Sequence, residues 1–225
     1  MPLLARRRRS APAALGAPLV RVRDVAVRTA EAELLAPLSL QVESGEVVAV
    51  TGPNGSGKTT LLRVIAGLTP PTAGTVEVAG APVDERSSEH RRRVAALLGT
   101  PPVERDLTLE EHLAMVALSW GTSLDDARAE ASGGLDALGL SPLARRFPHE
   151  LSSGQTQLFS LALVLARPSE VLLLDEPEQR LDVDRVPLAV EVLREAARGR
   201  AVLLATHSPV MTEGLATRVL ELGAG

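Results

Sequence analysis

The stretch GPNGSGKT at residues 52–59 constrains the fold of this chain more than any other feature. It fits the pattern G-x-x-x-x-G-K-[ST], in which a glycine-rich loop turns its backbone N–H groups onto phosphate oxygens. An apolar run at residues 47–50 precedes it, as a buried strand would, and a helical pattern follows it and ends near Gly67. Strand, loop and helix in this order predict a polyphosphate site at the positive end of a helix.

The loop also carries two side chains suited to a nucleotide. We expect Lys58 to reach the β- and γ-phosphates and the Thr59 hydroxyl to bind Mg²⁺. The residues of the loop that we predict to bind nucleotide are Gly52, Pro53, Asn54, Gly55, Ser56, Gly57, Lys58, Thr59 and Thr60.

The composition permits a large buried core and argues against some classes of protein. Of the 225 residues, 45% are hydrophobic, and 24 Lys and Arg against 28 Asp and Glu give a net charge of −4. This charge provides no electrostatic reason to expect nucleic acid as the main partner. No uninterrupted apolar run approaches the roughly 18 residues that a membrane span needs, and the absence of cysteine excludes disulfides.

Strand and helix patterns succeed one another along the chain. Strand patterns, either alternating or continuously apolar, occupy residues 20–25, 38–42, 47–50, 75–78, 171–174 and 201–205. Helix patterns occupy residues 60–66, 89–98, 108–120, 123–133, 152–165 and 186–197, the fourth of these ending where Gly133 and Gly134 interrupt it. The histidines at positions 90, 112 and 149 have no partners at metal-ligand spacing, so we expect them to be solvated or structural.

The domain organisation follows from these patterns. We predict a disordered basic tail at residues 1–18, where four arginines precede a tract rich in Ala and Pro. The alternatives are a contact of this tail with anionic lipid and, less favoured because Pro12 and Pro18 interrupt the apolar stretch, a signal peptide. Residues 19–225 form one domain, with a helical subdomain inserted at about 84–165.

Three predicted strands are followed directly by side chains capable of chemistry. The glycine loop follows the strand at 47–50, Asp175 and Glu176 follow a second strand, and His207 follows a third. Each of these residues taken alone could have a purely structural role. Because ligands of parallel α/β sheets bind beyond the carboxyl ends of the strands, we expect all three groups to lie in one site.

With the sequence LSSGQ at residues 151–155, these motifs resemble the nucleotide-binding subunits of ATP-binding cassette (ABC) transporters over residues 19–225. The resemblance implies an α/β fold: a P-loop NTPase core, with a mostly parallel sheet and an antiparallel β subdomain, that carries a helical insertion. It also implies a subunit that binds and hydrolyses ATP to power a membrane transporter, with ATP and Mg²⁺ as cofactors.

The resemblance assigns catalytic roles to matching residues. It implies that Lys58 binds the phosphates and that Thr59 and Asp175 hold Mg²⁺. It further implies that Glu176 orients the attacking water and that His207 senses the γ-phosphate.

Other matching residues imply a dimer. Asp182 matches a loop that communicates between two subunits, and the signature motif closes on ATP held by the opposite subunit. The signature residues are Ser152, Ser153, Gly154 and Gln155. The expected partners are therefore a second ABC ATPase subunit, identical or different, and an integral-membrane permease, with the chain cytoplasmic and peripheral to the inner face of the cell membrane.

The sequence departs from the family pattern in three places. No aromatic residue precedes Trp120, so we expect a weaker hold on adenine or stacking by Arg28. No glutamine lies between the phosphate loop and the signature motif, where the family has one near Mg²⁺, and Thr100 could offer its hydroxyl instead. Ser153 replaces the first of two glycines in the signature.

These departures leave several functions open. We favour slow hydrolysis, because Glu176 is present and no other residue could replace a water-orienting base. The alternatives are a partly degenerate subunit that binds ATP as the non-hydrolysing partner in a heteromeric complex, a soluble ABC ATPase without a role in transport, and a scaffold that only senses ATP.

Overall fold

The structure, a computed structural model, describes residues 17–223, and these divide into two units. The sheet unit contains residues 17–98, Ser169–Glu176 and residues 197–223, and the helical unit contains Gly99–Pro168 and Pro177–Ala196. All but the last two residues of the predicted basic tail lie outside the described part of the chain. The domain boundaries predicted above therefore stay predictions.

The sheet unit contains every strand of residues 17–223. These are β1 (Val20–Arg28), β2 (Glu33–Val42), β3 (Val47–Thr51), β4 (Ala73–Val78), β5 (Ala81–Pro82), β6 (Val94–Leu97), β7 (Val171–Asp175), β8 (Ala201–Ala205) and β9 (Arg218–Glu221). Its helices are α1 (Lys58–Ile65), α2 (Ser88–Arg93) and α7 (Pro209–Leu215).

The helical unit contains four longer helices and two short 3₁₀ turns. The helices are α3 (Leu109–Ser119), α4 (Leu124–Ala137), α5 (Ser153–Leu165) and α6 (Val186–Ala197), of which the last residue of α6 belongs to the sheet unit. The 3₁₀ turns are Ser141–Leu143 and Pro148–Glu150.

Two sheets of different kinds make up the sheet unit. Strands β2-β1-β4-β5 form an antiparallel sheet, and β6-β7-β8-β3-β9 form a parallel one. The central strands of the parallel sheet are buried almost throughout, including Val50, Leu173 and Leu203. Burial on both faces explains why these strands appear in the sequence as continuous apolar runs rather than as alternating ones.

The register of the parallel sheet aligns three strand ends. Asp175 of β7 lies opposite Ala205 of β8, and Ala205 lies opposite Val50 of β3. The residues that follow β7, β8 and β3 therefore leave the sheet side by side at one edge. This is the arrangement that brings the predicted site together.

Helix α1 follows the glycine loop and packs into the core of the sheet unit through Leu61, Leu62 and Ile65. It ends as the sequence predicts, because Gly67 adopts a left-handed φ of 81°. The N–H of Gly67 donates to the carbonyl of Val64 at 3.0 Å, and that of Leu68 donates to the carbonyl of Arg63 at 2.9 Å, so two carbonyls of the last turn are satisfied.

The predicted helix over residues 89–98 is correct only as far as Arg93. Residues Val94–Leu97 form strand β6, which pairs in parallel with β7. Val94 and Leu97 are buried in the sheet unit, and pairing with a central strand outweighs a local preference for helix.

The predicted break at Gly133 and Gly134 is also wrong, because α4 continues through both glycines to Ala137. Ala127, Ala131 and Leu135 are buried at four-residue spacing on one face of α4. Their burial offsets the roughly 1 kcal/mol that each glycine costs in a helix interior.

The buried side chain of His112 has a hydrogen-bond partner at each ring nitrogen. Nδ1 of buried His112 lies 2.8 Å from the carbonyl of Thr108, and its Nε2 accepts from the N–H of Glu104 at 2.9 Å. The ring also meets Phe159 edge to face at 5.7 Å. His112 therefore has a structural role.

Trp120 closes the C-terminal end of α3. The guanidinium of Arg167 lies over its ring at 5.9 Å from the centroid, close enough for a cation–π contact. Burial lowers the pKa of Arg167 from its ordinary value.

Across residues 17–223, every helix is too short or too polar to reach from one side of a bilayer to the other.

Candidate functional site

Two glycines of the phosphate loop occupy positions where a side chain would collide with backbone. A Cβ on Gly52 would lie 2.4 Å from the carbonyl oxygen of Leu222, and one on Gly57 would lie 2.7 Å from that of Leu34. Both residues also have positive φ angles, 138° and 95°. The fold therefore requires glycine at both positions, and the loop packs tightly against β2 and the segment after β9.

Lys58 is held across the phosphate loop. Its side chain is buried, and Nζ donates to the carbonyl oxygens of Gly52 at 2.8 Å and Pro53 at 2.9 Å. The hydroxyl of Ser56 is buried in the same loop and has no hydrogen-bond partner among the described residues. The loop thus presents a cation and an unsatisfied hydroxyl, two groups that suit phosphate oxygens.

Thr59 and Asp175 meet directly. The Thr59 hydroxyl donates to Oδ2 of Asp175 at 2.8 Å, linking the start of α1 to the end of β7. The pKa of Asp175 is raised above its ordinary value, and burial is the main cause. The hydrogen bond from Thr59 and the charge of Lys58 oppose this shift, and the charge of Glu176 adds to it. A nearby cation would favour this carboxylate, and hydroxyl and carboxylate oxygens are ligands that Mg²⁺ prefers.

Glu176 and His207 face each other at the ends of adjacent strands. Nε2 of His207 lies 3.6 Å from Oε1 of Glu176, and both side chains are partly open to solvent. Glu176 has a left-handed φ of 47°, which is uncommon for a residue with a side chain. Its N–H donates to the carbonyl of Ala205 at 2.8 Å, so β8 fixes the turn from which the carboxylate projects.

A cavity of about 330 Å³ opens beside these residues within the sheet unit. Its lining includes Thr51, Gly52, Thr206 and His207. The N–H of buried Thr206 donates to the carbonyl of Val50 at 3.3 Å, which anchors the segment leading to His207 beside β3. The cavity therefore lies at the edge where the strands end.

The signature residues form the N-terminus of α5 in the helical unit. Ser152 caps the helix: its hydroxyl accepts from the N–H of Gln155 at 3.3 Å, and its own N–H donates to the Gln155 side chain at 2.9 Å. This capping box is the one predicted from the sequence. Ser153 and Gly154 begin the first turn.

Asp182 lies in the segment between β7 and α6, also within the helical unit. Its Oδ2 is 3.4 Å from Nε of Arg185, and the carboxylate remains mostly exposed. No sequence motif pointed to Gln157, whose amide donates to the carbonyl of Pro177 at 3.1 Å. Only the folded chain shows that α5 is bonded to the segment that contains Asp182.

The structure thus gathers five predicted residues, together with the phosphate loop at residues 52–60, at one edge of the sheet unit. The five are Lys58, Thr59, Asp175, Glu176 and His207. The signature residues, Asp182 and Thr100 belong to the helical unit. Arg28, the alternative partner expected for adenine, has its Nε 2.7 Å from Oε2 of Glu33, and its stacking on a base stays a prediction.

Comparison with known proteins gives this site a family. The ABC transporter family matches residues 35–179. The Nod factor export ATP-binding protein I of Burkholderia lata is 35% identical over 204 residues, covering 90% of this chain and 67% of the relative. The protein of the same name from Burkholderia thailandensis is 36% identical over 189 residues, covering 84% and 62%.

The chain belongs to the ABC transporter family. The sequence-based prediction of an ABC subunit that binds and hydrolyses ATP to power a membrane transporter is confirmed by this membership. The chain spans about two-thirds of the length of the two ABC relatives named above, 67% and 62%.

Solved ABC structures agree in fold. A structure described as the ATP-binding subunit of an ABC transporter aligns with a TM-score of 0.81 at 28% identity, covering 92% of this chain and 87% of that one. A dimeric bacterial ABC transporter cassette gives the same TM-score at 24% identity, which is a likeness of fold alone. The predicted α/β fold, with a parallel and an antiparallel sheet, is confirmed.

Proposed function

We propose that Lys58, Thr59, Asp175, Glu176 and His207 form the ATP-hydrolysing centre of this ABC subunit. The observation that carries the proposal is the row of strand ends at which Asp175 lies opposite Ala205 and Ala205 opposite Val50. These strand ends bring three groups to one edge of the sheet. They are the phosphate loop, Asp175 bonded to Thr59 of that loop, and the pair of Glu176 and His207.

The groups have complementary tasks. Residues 52–60 cradle the phosphates through backbone N–H groups, and Lys58 exchanges its two loop carbonyls for phosphate oxygens. Glu176 accepts a hydrogen bond from water and orients it towards the terminal phosphorus. His207, next to that carboxylate, donates to a phosphate oxygen from the neighbouring strand end.

Mg²⁺ fits the oxygen pair of Thr59 and Asp175, which already lie within hydrogen-bond distance of each other. The ion, when bound, neutralises charge on the phosphates. Of the chain's own groups, Thr59 and Asp175 hold it in place, and the nearby charge of Lys58 supports the ionised form of Asp175.

Two departures from the family favour slow turnover. Thr100, the expected substitute for the missing glutamine, is exposed in the segment after β6. Arg28 bonds Glu33 through Nε, and the adenine base has no aromatic partner. A weaker adenine contact raises the ATP concentration that turnover requires, and an incomplete set of groups near the metal lowers the maximal rate.

The assembly that we propose joins this chain to two partners, a second ABC subunit and a permease. Ser152 caps α5 and Ser153 is its first residue, and both are exposed. The N-terminus of α5 offers backbone N–H groups to an anion and suits a γ-phosphate held by a second ABC subunit. The likeness to the ATP-binding subunits of exporters supports an integral-membrane permease as the other partner. The chain then lies on the cytoplasmic face of the membrane.

The decisive experiment replaces the proposed water-orienting residue. In Glu176→Gln, phosphate release from Mg-ATP should fall by a factor of about 100 or more, the order associated with loss of a general base. Binding of a fluorescent ATP analogue should stay at the wild-type affinity, because the phosphate loop is intact.

Glu43→Gln is the matched control, since Glu43 is an exposed carboxylate before β3, at the other end of the strand from the phosphate loop. It should leave phosphate release unchanged. A wild-type chain that binds Mg-ATP but releases no phosphate would contradict hydrolysis and support a non-hydrolysing partner subunit instead.

A further inference from the structure

The segment between β7 and α6 is fastened to α5 inside the helical unit. Nε2 of Gln157 donates to the carbonyl oxygen of Pro177 at 3.1 Å. Pro177 is buried, so its carbonyl lies where a missing donor would not be replaced readily by bulk water. Gln157 is therefore one point of attachment of the segment at residues 177–182, here called the 177–182 loop.

A second contact brings the same loop against the first turn of α5. A Cβ built on Gly154 would lie 2.9 Å from the carbonyl oxygen of Arg180. Because that neighbour is backbone, it cannot rotate away as a side chain would. The loop thus approaches α5 at a position that tolerates only glycine, three residues before Gln157.

The loop between these contacts has an unusual backbone. Arg180 has a left-handed φ of 67°, and Glu176, which precedes the loop in the chain, has one of 47°. The N–H of Leu181 donates to the carbonyl of Glu178 at 3.0 Å, closing a turn. Non-glycine residues hold such angles only where surrounding contacts fix them, and the two contacts with α5 supply that constraint for Arg180.

We propose that Gln157 is a positioning residue that locks the 177–182 loop to α5. The signature serines at the start of α5 and Asp182 at the end of the loop then form one rigid surface. This inference rests on the proposed function, because the value of such a surface is that both groups reach a second ABC subunit in a fixed arrangement. Gln157 acts through the loop and does not itself touch ATP.

The test replaces Gln157 by Met, which has similar length and no donor. Amide hydrogen exchange in the 177–182 loop should become about 3- to 10-fold faster, the factor that one neutral hydrogen bond corresponds to. ATP turnover should fall by a similar factor, while affinity for a fluorescent ATP analogue stays at the wild-type value. A merely structural role would accelerate exchange throughout the helical unit, whereas a positioning role confines the change to the 177–182 loop.

Two further variants sharpen the test. Gly154→Ala should accelerate exchange in the same loop, and the double variant should lose less than the product of the single effects, because both act on one attachment. Ser160→Ala is the matched control: its hydroxyl donates to the carbonyl of Thr156 within α5, one turn beyond Gln157. It should change neither loop exchange nor turnover.

The outcomes separate this inference from the function on which it rests. Unchanged exchange in Gln157→Met overturns the lock, whatever the ATPase result. Faster exchange with wild-type turnover overturns the positioning role. If the wild-type chain shows no turnover, the hydrolytic function fails, and the exchange measurement alone still decides whether Gln157 locks the loop.

Discussion

At the scale of single residues, the phosphate loop depends on where its backbone must pass. Gly52 and Gly55 both have positive φ angles, 138° and 83°, but their surroundings differ. A Cβ on Gly52 would meet the carbonyl of Leu222 at 2.4 Å, whereas a Cβ on Gly55 would have no neighbour within 4 Å. The motif pattern specifies glycine at position 52 and leaves position 55 open, and the fold supplies the physical reason for this difference.

This difference predicts unequal effects of the same substitution. Gly55→Ala should lower the free energy of unfolding by about 1–2 kcal/mol, the strain of a left-handed alanine. Gly52→Ala should lower it by more, because a displaced backbone is added to that strain, and it should also abolish nucleotide binding. Urea unfolding and binding of a fluorescent ATP analogue check both values; equal losses in the two variants would contradict the predicted collision.

At the scale of elements, α3 and α5 both begin with a capping box, in which the reciprocal residue is a glutamate in α3 and a glutamine in α5. Thr108 caps α3, and its N–H and hydroxyl donate to Oε2 of Glu111 at 2.8 and 2.7 Å. At α5 the reciprocal partner is Gln155, which does not titrate. The backbone hydrogen bond from Thr108, together with that from its hydroxyl, lowers the pKa of Glu111.

The two caps should therefore respond differently to acid. Because the folded pKa of Glu111 is lowered, its contribution to stability is complete above its unfolded pKa and is lost as pH falls through the folded value. Amide exchange at the start of α3, corrected for the intrinsic effect of pH, should rise on acidification below the ordinary glutamate range. Exchange at the start of α5 should not rise. Glu111→Gln should remove the acid response of α3. If exchange at the start of α3 rose on acidification in this variant as it does in the wild type, Glu111 would not be the cause.

The same elements show how far the sequence could predict the structure. Helix α6 and strand β8 were predicted with the bounds that the structure shows, because each has one strong pattern and clear ends. Strand β6 was missed because four residues carry too little periodicity, and pairing with β7 decided their conformation. The continuation of α4 past Gly133 was missed because tertiary packing outweighs propensity.

For the site, the sequence predicted which strands would deliver its residues but not the contacts among them. The bond between Thr59 and Asp175 joins residues 116 positions apart, and their meeting depends on the order of strands in the sheet. The role of Gln157 could not be predicted because its partner is a backbone carbonyl, which every residue type has and which a sequence pattern therefore does not reveal.

At the scale of the whole molecule, the exposed serines at the N-terminus of α5 predict assembly. Glu176→Gln with Mg-ATP should convert the purified chain from monomer to dimer in sedimentation, because ATP persists and each subunit offers its α5 to the other. Lys58→Ala in the same background is the control, and should stay monomeric because it loses the cation that holds the phosphates. A dimer that forms equally well without nucleotide would contradict ATP as the bridging group.

The stacking of Arg167 on Trp120 gives the molecule a built-in optical reporter. The chain has one tryptophan and no tyrosine, so ultraviolet-excited emission originates almost wholly from a single position at the end of α3. That emission reports the local environment of Trp120, whereas far-ultraviolet circular dichroism averages over the helices and strands of both units. The two signals can therefore be recorded on one unlabelled sample to compare the loss of structure at Trp120 with the loss of secondary structure as a whole.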